Sequence, residues 1–305
     1  MSGSTVSPFQ HKASQQWIGP LAAVFAIAGV GLMVAGSWYG LVLILLALIA
    51  ALATRWAVVA VWFHRLGSPP YFCAFATRCL PWAGWLALFS TLIGLYLGLL
   101  RAPADYLQGE SFRIIYLHVP AAWMSLFIYA LMAVYGVLAL VWRIKLCEVL
   151  LVAAAPIGAM FTAVTLITGM LWGRPTWGTY WVWDARLTSE LILLFLYFGV
   201  IGLAAAYEDH RQGARAAAVL SLVGVVNVPI IHFSVQWWNT LHQGETVRMF
   251  GENSIHPSML WPLLVMAAAS KFYFIFALLL RARGLLLEQE RGKQWAREWV
   301  LRTRN

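Results

Sequence analysis

Apolar runs dominate the chain, and the polar or helix-breaking residues between them mark out its elements. Runs of the ~20 residues needed to cross the hydrocarbon core of a bilayer lie near 81–100, 119–142, 149–172, 187–207, 215–236 and 259–281. Upstream, 18–36 and 41–62 form two further runs, separated at Ser37-Trp38-Tyr39-Gly40. They exceed the apolar region of a cleaved signal peptide and predict an extra hairpin. No stretch shows the short alternating segments of a membrane β-barrel. The pattern predicts an all-α polytopic integral membrane protein with six core transmembrane helices plus that N-terminal hairpin. Three regions follow: an extension at 1–60, a six-span domain at 61–281 and a basic tail at 282–305.

Composition agrees. The chain is 62% apolar and 11% charged, against roughly 25% charged in a soluble domain. The net charge of +9 does not point to nucleic acid, because its basic residues sort by membrane side. Lys12, Arg55, Arg65, Arg78, Arg143, Lys145, Arg211 and Arg215 share one side with Arg281, Arg283, Arg291, Lys293, Arg297, Arg302 and Arg304. Only Arg101, Arg113, Arg174, Arg186 and Arg248 fall on the other, and Lys271 lies inside the last span. The richer side is cytoplasmic by the positive-inside rule. The three cysteines, Cys73, Cys79 and Cys147, form no C-x-x-C pair, and a reducing cytoplasmic side makes them structural. No G-x-x-x-x-G-K-[ST] phosphate loop occurs, so any ATP would be hydrolysed by another chain.

This topology gathers the chemistry at the outer face. His118 begins one span, with Pro120 in its first turn, and His232 ends another, one turn past Pro229. Between them runs "WGTYWVWDAR", 177–186, in the link 173–186. Gly173, Arg174 and Pro175 are expected to stop the preceding helix. If the link is helical, Trp177, Trp181 and Asp184 share a face at i, i+4, i+7, flanked by Tyr180 and Trp183. Tryptophans at this level also serve as plain interfacial anchors, but an anchor needs no carboxylate. Asp184 is expected to orient Arg186 or an indole N–H. A flat macrocycle with a central metal asks for aromatic faces, axial nitrogens and cations for its carboxylates, and haem is the common case. His118 and His232 are the expected axial ligands, with His242 and His256 in reserve. Arg101, Arg113, Arg174, Arg186 and Arg248 are the candidate propionate partners, by bidentate pairing.

Three segments carry a resemblance: "RIIYLHVPAAWM" (113–124), "APIGAMFTAVTLITGMLWGRPTWGTYWVWDARLTSELILLFLY" (155–197) and "GVVNVPIIHFSVQWWNTLHQG" (224–244). In order and in register, they resemble the CcmC family, haem exporter protein C of bacterial cytochrome c maturation. The similarity runs from about Val61 to the end. It implies six spans in the bacterial inner membrane with both termini cytoplasmic, and a periplasmic "WWD" segment. It also implies two periplasmic axial histidines, mapped onto His118 and His232. The signature positions map onto Trp177, Gly178, Trp181, Trp183 and Asp184, with Tyr180 standing where the family usually has tryptophan. The implied function is not enzymatic: haem b is held non-covalently and delivered to the haem chaperone CcmE. The implied partners are the ATPase CcmA, the permease CcmB and the small subunit CcmD. Residues 1–60 are additional to the family pattern, either a real hairpin or a start assigned too far upstream. Three alternatives stand beside this one: a b-type cytochrome redox subunit, a WWD-type cytochrome c synthetase, and a permease whose tryptophans only grip the interface.

Overall fold

The computed structural model describes residues 67–238, 240–242, 244 and 255–304. The expected N-terminal hairpin and Arg248 lie outside the described residues. Among the described residues, six helical segments are long and apolar enough to cross a membrane, as the hydrophobic pattern predicts. They comprise α1 (Pro69–Leu95), α2 (Ile115–Val141), α3 (Lys145–Trp177), α4 (Ala185–Ala205), the broken pair α5 (His210–Gly224) and α6 (Asn227–Trp237), and α7 (Pro257–Gln289). A last helix, α8 (Gln294–Arg304), follows the spans.

Several boundaries differ from the expected ones, and proline explains most of them. The first span begins at Pro69 rather than near 81, with Pro81 inside the helix. Pro69 and Pro70 occupy the opening positions, where a missing N–H costs nothing. Past Leu95 the chain widens into one π turn, Tyr96–Arg101, closed by Ala102 N–H donating to Leu97 O at 2.7 Å. Arg113 Nη1 donates to Gly98 O and Ala102 O, each at 2.8 Å, and so ties off carbonyls left open at that helix end. The fifth span is two helices. Pro229 has no N–H to offer Val225, and its ring crowds that carbonyl. The helix therefore breaks at Val225–Val226.

Helix α3 is the most buried span, and α2 packs along it while α1 packs chiefly against α7. The centre is built from small side chains: Ala153, Ala154, Ala155, Ala217 and Ala218 are all buried. Within lipid no hydrophobic force drives helices together, and small residues let their backbones approach. Larger contacts fill in around them, as where Tyr129 meets Tyr197 edge to face at 5.0 Å.

By connectivity, one end of the bundle carries the 102–109 and 178–184 links and the chain after α6. The other end is pinned by ion pairs. The buried Glu148 carboxylate meets Arg211 Nε at 3.1 Å and Arg215 Nε at 3.6 Å, joining α3 to α5. Glu290, buried just past α7, meets Lys145 of α3 and Lys293 Nζ, the latter at 2.6 Å. Burial pushes the Glu290 carboxyl up, but the two lysine hydrogen bonds outweigh it and hold it down at about 2. A lowered carboxyl contributes stability above its ordinary range and loses it as pH falls toward 2. Glu290→Gln is expected to cost about 2 kcal/mol at pH 7. Thermal melting in detergent checks this, and the deficit should shrink as pH is lowered toward 3.

Candidate functional site

His118 sits in the first turn of α2, buried at 7% accessibility, facing the last turns of α3. Its Nδ1 lies 3.0 Å from Thr168 Oγ1. That hydroxyl has one proton, already donated to Val164 O at 2.6 Å. Nδ1 must therefore be the donor, which leaves the Nε2 lone pair open, the usual preparation of a ligating imidazole. Gly169 makes room for the ring: a Cβ there would stand 3.1 Å from His118 Cε1. Trp172 packs its edge on His118 at 5.6 Å and is held by donating Nε1–H to Gln108 Oε1 at 2.7 Å.

The second ring facing His118 is His242, which follows α6. The two ring centres are 6.4 Å apart with planes 32° from parallel, and Trp177 lies 6.5 Å from His242. A metal–imidazole bond of ~2.0 Å, with the ring centre about 1.2 Å behind the nitrogen, puts two trans imidazoles about 6.3 Å apart. The His118–His242 separation is close to that distance. His232 is exposed on α6, with its ring 4.6 Å from that of Phe233. His256 caps α7, its Nδ1 accepting from Ser258 N–H at 3.3 Å.

The aromatic link departs from its expected form. Helix α3 does not stop at Gly173 but runs to Trp177, with Pro175 in its last turn. It ends at Gly178, whose φ of 78° is left-handed, a conformation glycine adopts without steric cost. Residues 178–184 are not helical, so Trp177, Trp181 and Asp184 do not share a helix face. Trp177 and Trp181 nonetheless line one cavity. Tyr180, half-exposed, carries the Arg174 guanidinium over its ring at 5.6 Å. Trp183 is 77% exposed and meets Trp181 edge to face at 5.3 Å. Asp184 has a different task from the expected one. Its Oδ1 accepts from Leu187 N–H at 2.8 Å and caps α4. Asp184 Oδ2 and Trp181 Nε1 are buried without a hydrogen-bond partner, and such buried polar atoms call for an explanation.

Two cavities adjoin here, of about 230 Å³ and 130 Å³. Trp177, Trp181 and Glu190 belong to the first; Trp123, His232 and Leu263 belong to the second. His118, Trp172, Arg186 and His242 line both. Among the described residues Arg186, whose Nη1 donates to Ile231 O at 3.2 Å, is the candidate arginine that lines these walls. Arg113 is engaged at the π turn and with Glu110, and Arg174 with Gly178 and Tyr180. Sequence reasoning missed Thr168, Trp172 and Glu190. The buried Glu190 accepts from Ser125 Oγ at 2.8 Å, one turn after Arg186. Its signals were a carboxylate inside an apolar run and the Thr162, Thr165, Thr168 stripe at three-residue spacing.

Residues 62–297 match the family described as "Heme exporter protein C". The chain belongs to this family. Heme exporter protein C of Escherichia coli (strain K12) is 49% identical over 239 residues, 78% of this chain and 96% of the relative. Its counterpart in Bradyrhizobium diazoefficiens is 50% identical over 224 residues, 73% of this chain and 85% of the relative. A putative cytochrome c biosynthesis ccmC-like mitochondrial protein of Marchantia polymorpha is 48% identical over 199 residues, 65% and 84% of the respective lengths. The matched region takes in all six spans and both cavities. This chain is thus a multi-pass membrane protein of a haem export and cytochrome c biogenesis family.

Thr168→Val strands the buried His118 Nδ1–H and is expected to cost about 1–3 kcal/mol. Thr168→Ser, which keeps the oxygen, should restore most of it. Thermal melting of the purified protein in detergent measures both.

Proposed function

We propose that this chain binds haem b non-covalently at the periplasmic end of its bundle and hands it to the haem chaperone CcmE. The observation that carries the site is the 6.4 Å separation of the His118 and His242 rings, which suits an iron between two imidazoles. His232, the axial ligand expected from the sequence, shares the wall of the second cavity with His118 and His242 and is the alternative partner for the iron. Haem is the cargo, and its iron supplies the Lewis acid that the two nitrogens hold. Arg186 lines both cavities and pairs a propionate, since a guanidinium matches a carboxylate bidentately.

The WWD link divides its labour. Trp177 and Trp181 lie against the cargo, and the unpartnered Trp181 N–H gives it a donor. Asp184 and Gly178 set the two helix ends that fix the link. Tyr180 and the exposed Trp183 present the outer surface that the chaperone meets. Handing over requires a bound cargo that another protein can still reach, which an exposed indole beside a half-closed cavity allows. CcmA, CcmB and CcmD are the partners of this step, and ATP is hydrolysed by the ATPase.

Absorption spectra of protein purified from haem-sufficient cells test the ligand set. His118→Ala and His242→Ala are expected to lower Soret-band haem per protein about tenfold or more, and free imidazole should recover part of the His242→Gly signal. His232→Ala should keep most of it. A His242→Ala variant with wild-type haem content overturns the assignment.

Trp181→Ala and Asp184→Ala are expected to cut transfer about tenfold. Haem staining of the covalent haem–CcmE adduct reports it, with haem content of the donor measured in parallel. Normal transfer in both variants would return the link to a plain interfacial anchor.

A further inference from the structure

Lys271 lies inside α7 on the outer surface of the bundle and lines neither cavity. Trp261, 66% exposed, and Arg281 bracket the apolar part of this helix. At 1.5 Å per residue they are about 30 Å apart, the thickness of the hydrocarbon core. Lys271 is midway, about 15 Å from either boundary. A lysine side chain reaches only about 6 Å, so it cannot raise its ammonium to the headgroups. A charge at this depth is expensive and calls for a partner.

Among the described residues, the fold offers it an aromatic shelf but no carboxylate. Lys271 Nζ lies 4.7 Å from the centre of the Phe127 ring on α2. None of the ion pairs among the described residues includes it. On α7, Leu264 and Ile275 continue its stripe at 37% and 43% exposure; on α2, Phe127 faces outward at 44%. The result is a long apolar track with one cation at its centre.

We propose that this α2/α7 face docks a transmembrane helix of another protein, bearing an aspartate or glutamate at mid-membrane depth that pairs with Lys271. Among the described residues this chain supplies no such carboxylate. No acidic residue precedes Asp105 in the sequence, so the N-terminal runs have none. Glu190, inside α4, is buried and bound by Ser125, so a second copy offers no exposed one. A lipid headgroup stands too far away. The proposal is independent of which histidines hold iron.

Dicyclohexylcarbodiimide, a membrane-permeant reagent that condenses an amine with an adjacent carboxylate into an amide, is the probe. It is applied to native membranes containing the full chain, followed by peptide mass spectrometry. The expected product joins Lys271 to an aspartate or glutamate within an apolar segment of another protein. Lys271→Arg should abolish this product yet keep the size of the detergent-solubilised assembly. Lys271→Leu should reduce the assembled fraction about tenfold or more, while melting no lower than wild type. The proposal is overturned by no adduct at Lys271, by an adduct to an extramembrane carboxylate or a tetrapyrrole propionate, or by a Lys271→Leu assembly of unchanged size.

Discussion

A single hydrogen bond organises the site. Thr168 spends its only proton on the α3 backbone, which obliges His118 to spend its Nδ1 proton on Thr168. The imidazole is thereby held in one tautomer, with the Nε2 lone pair open. Around this nitrogen Gly169 leaves room for the ring, Trp172 packs on it, and the His242 ring lies 6.4 Å away.

The membrane explains why the site lies where it does. Inside hydrocarbon every backbone group must be satisfied within a helix, so irregular chain is confined to the ends or to cavity walls. The 178–184 link is irregular chain of that kind, held between a left-handed glycine and an aspartate cap. It can therefore bring indoles to the cavity without unravelling either span.

Much of this was legible in the residues. Twenty-residue apolar runs are hard to mistake, and the six spans emerged with the expected parity. Boundaries were less legible, because proline marks a helix start as readily as a stop: Pro69 opens α1 and Pro175 rides in the last turn of α3. The approach of His242 to His118 was not legible at all. His232 lies in an apolar helix and His242 in the polar stretch after it, and only folding back over His118 brings the latter's ring into range. Glu190 and Thr168 escaped for a related reason, since a polar residue inside a span shows its purpose only through the partner opposite it.

Locating the iron in the haem-loaded protein tests the central claim most directly, by a structure phased or verified on the iron signal. The account predicts iron within bonding distance of His118 Nε2 and of a ring nitrogen of His242. Iron bonded to His232 in place of His242, or outside both cavities, would contradict it.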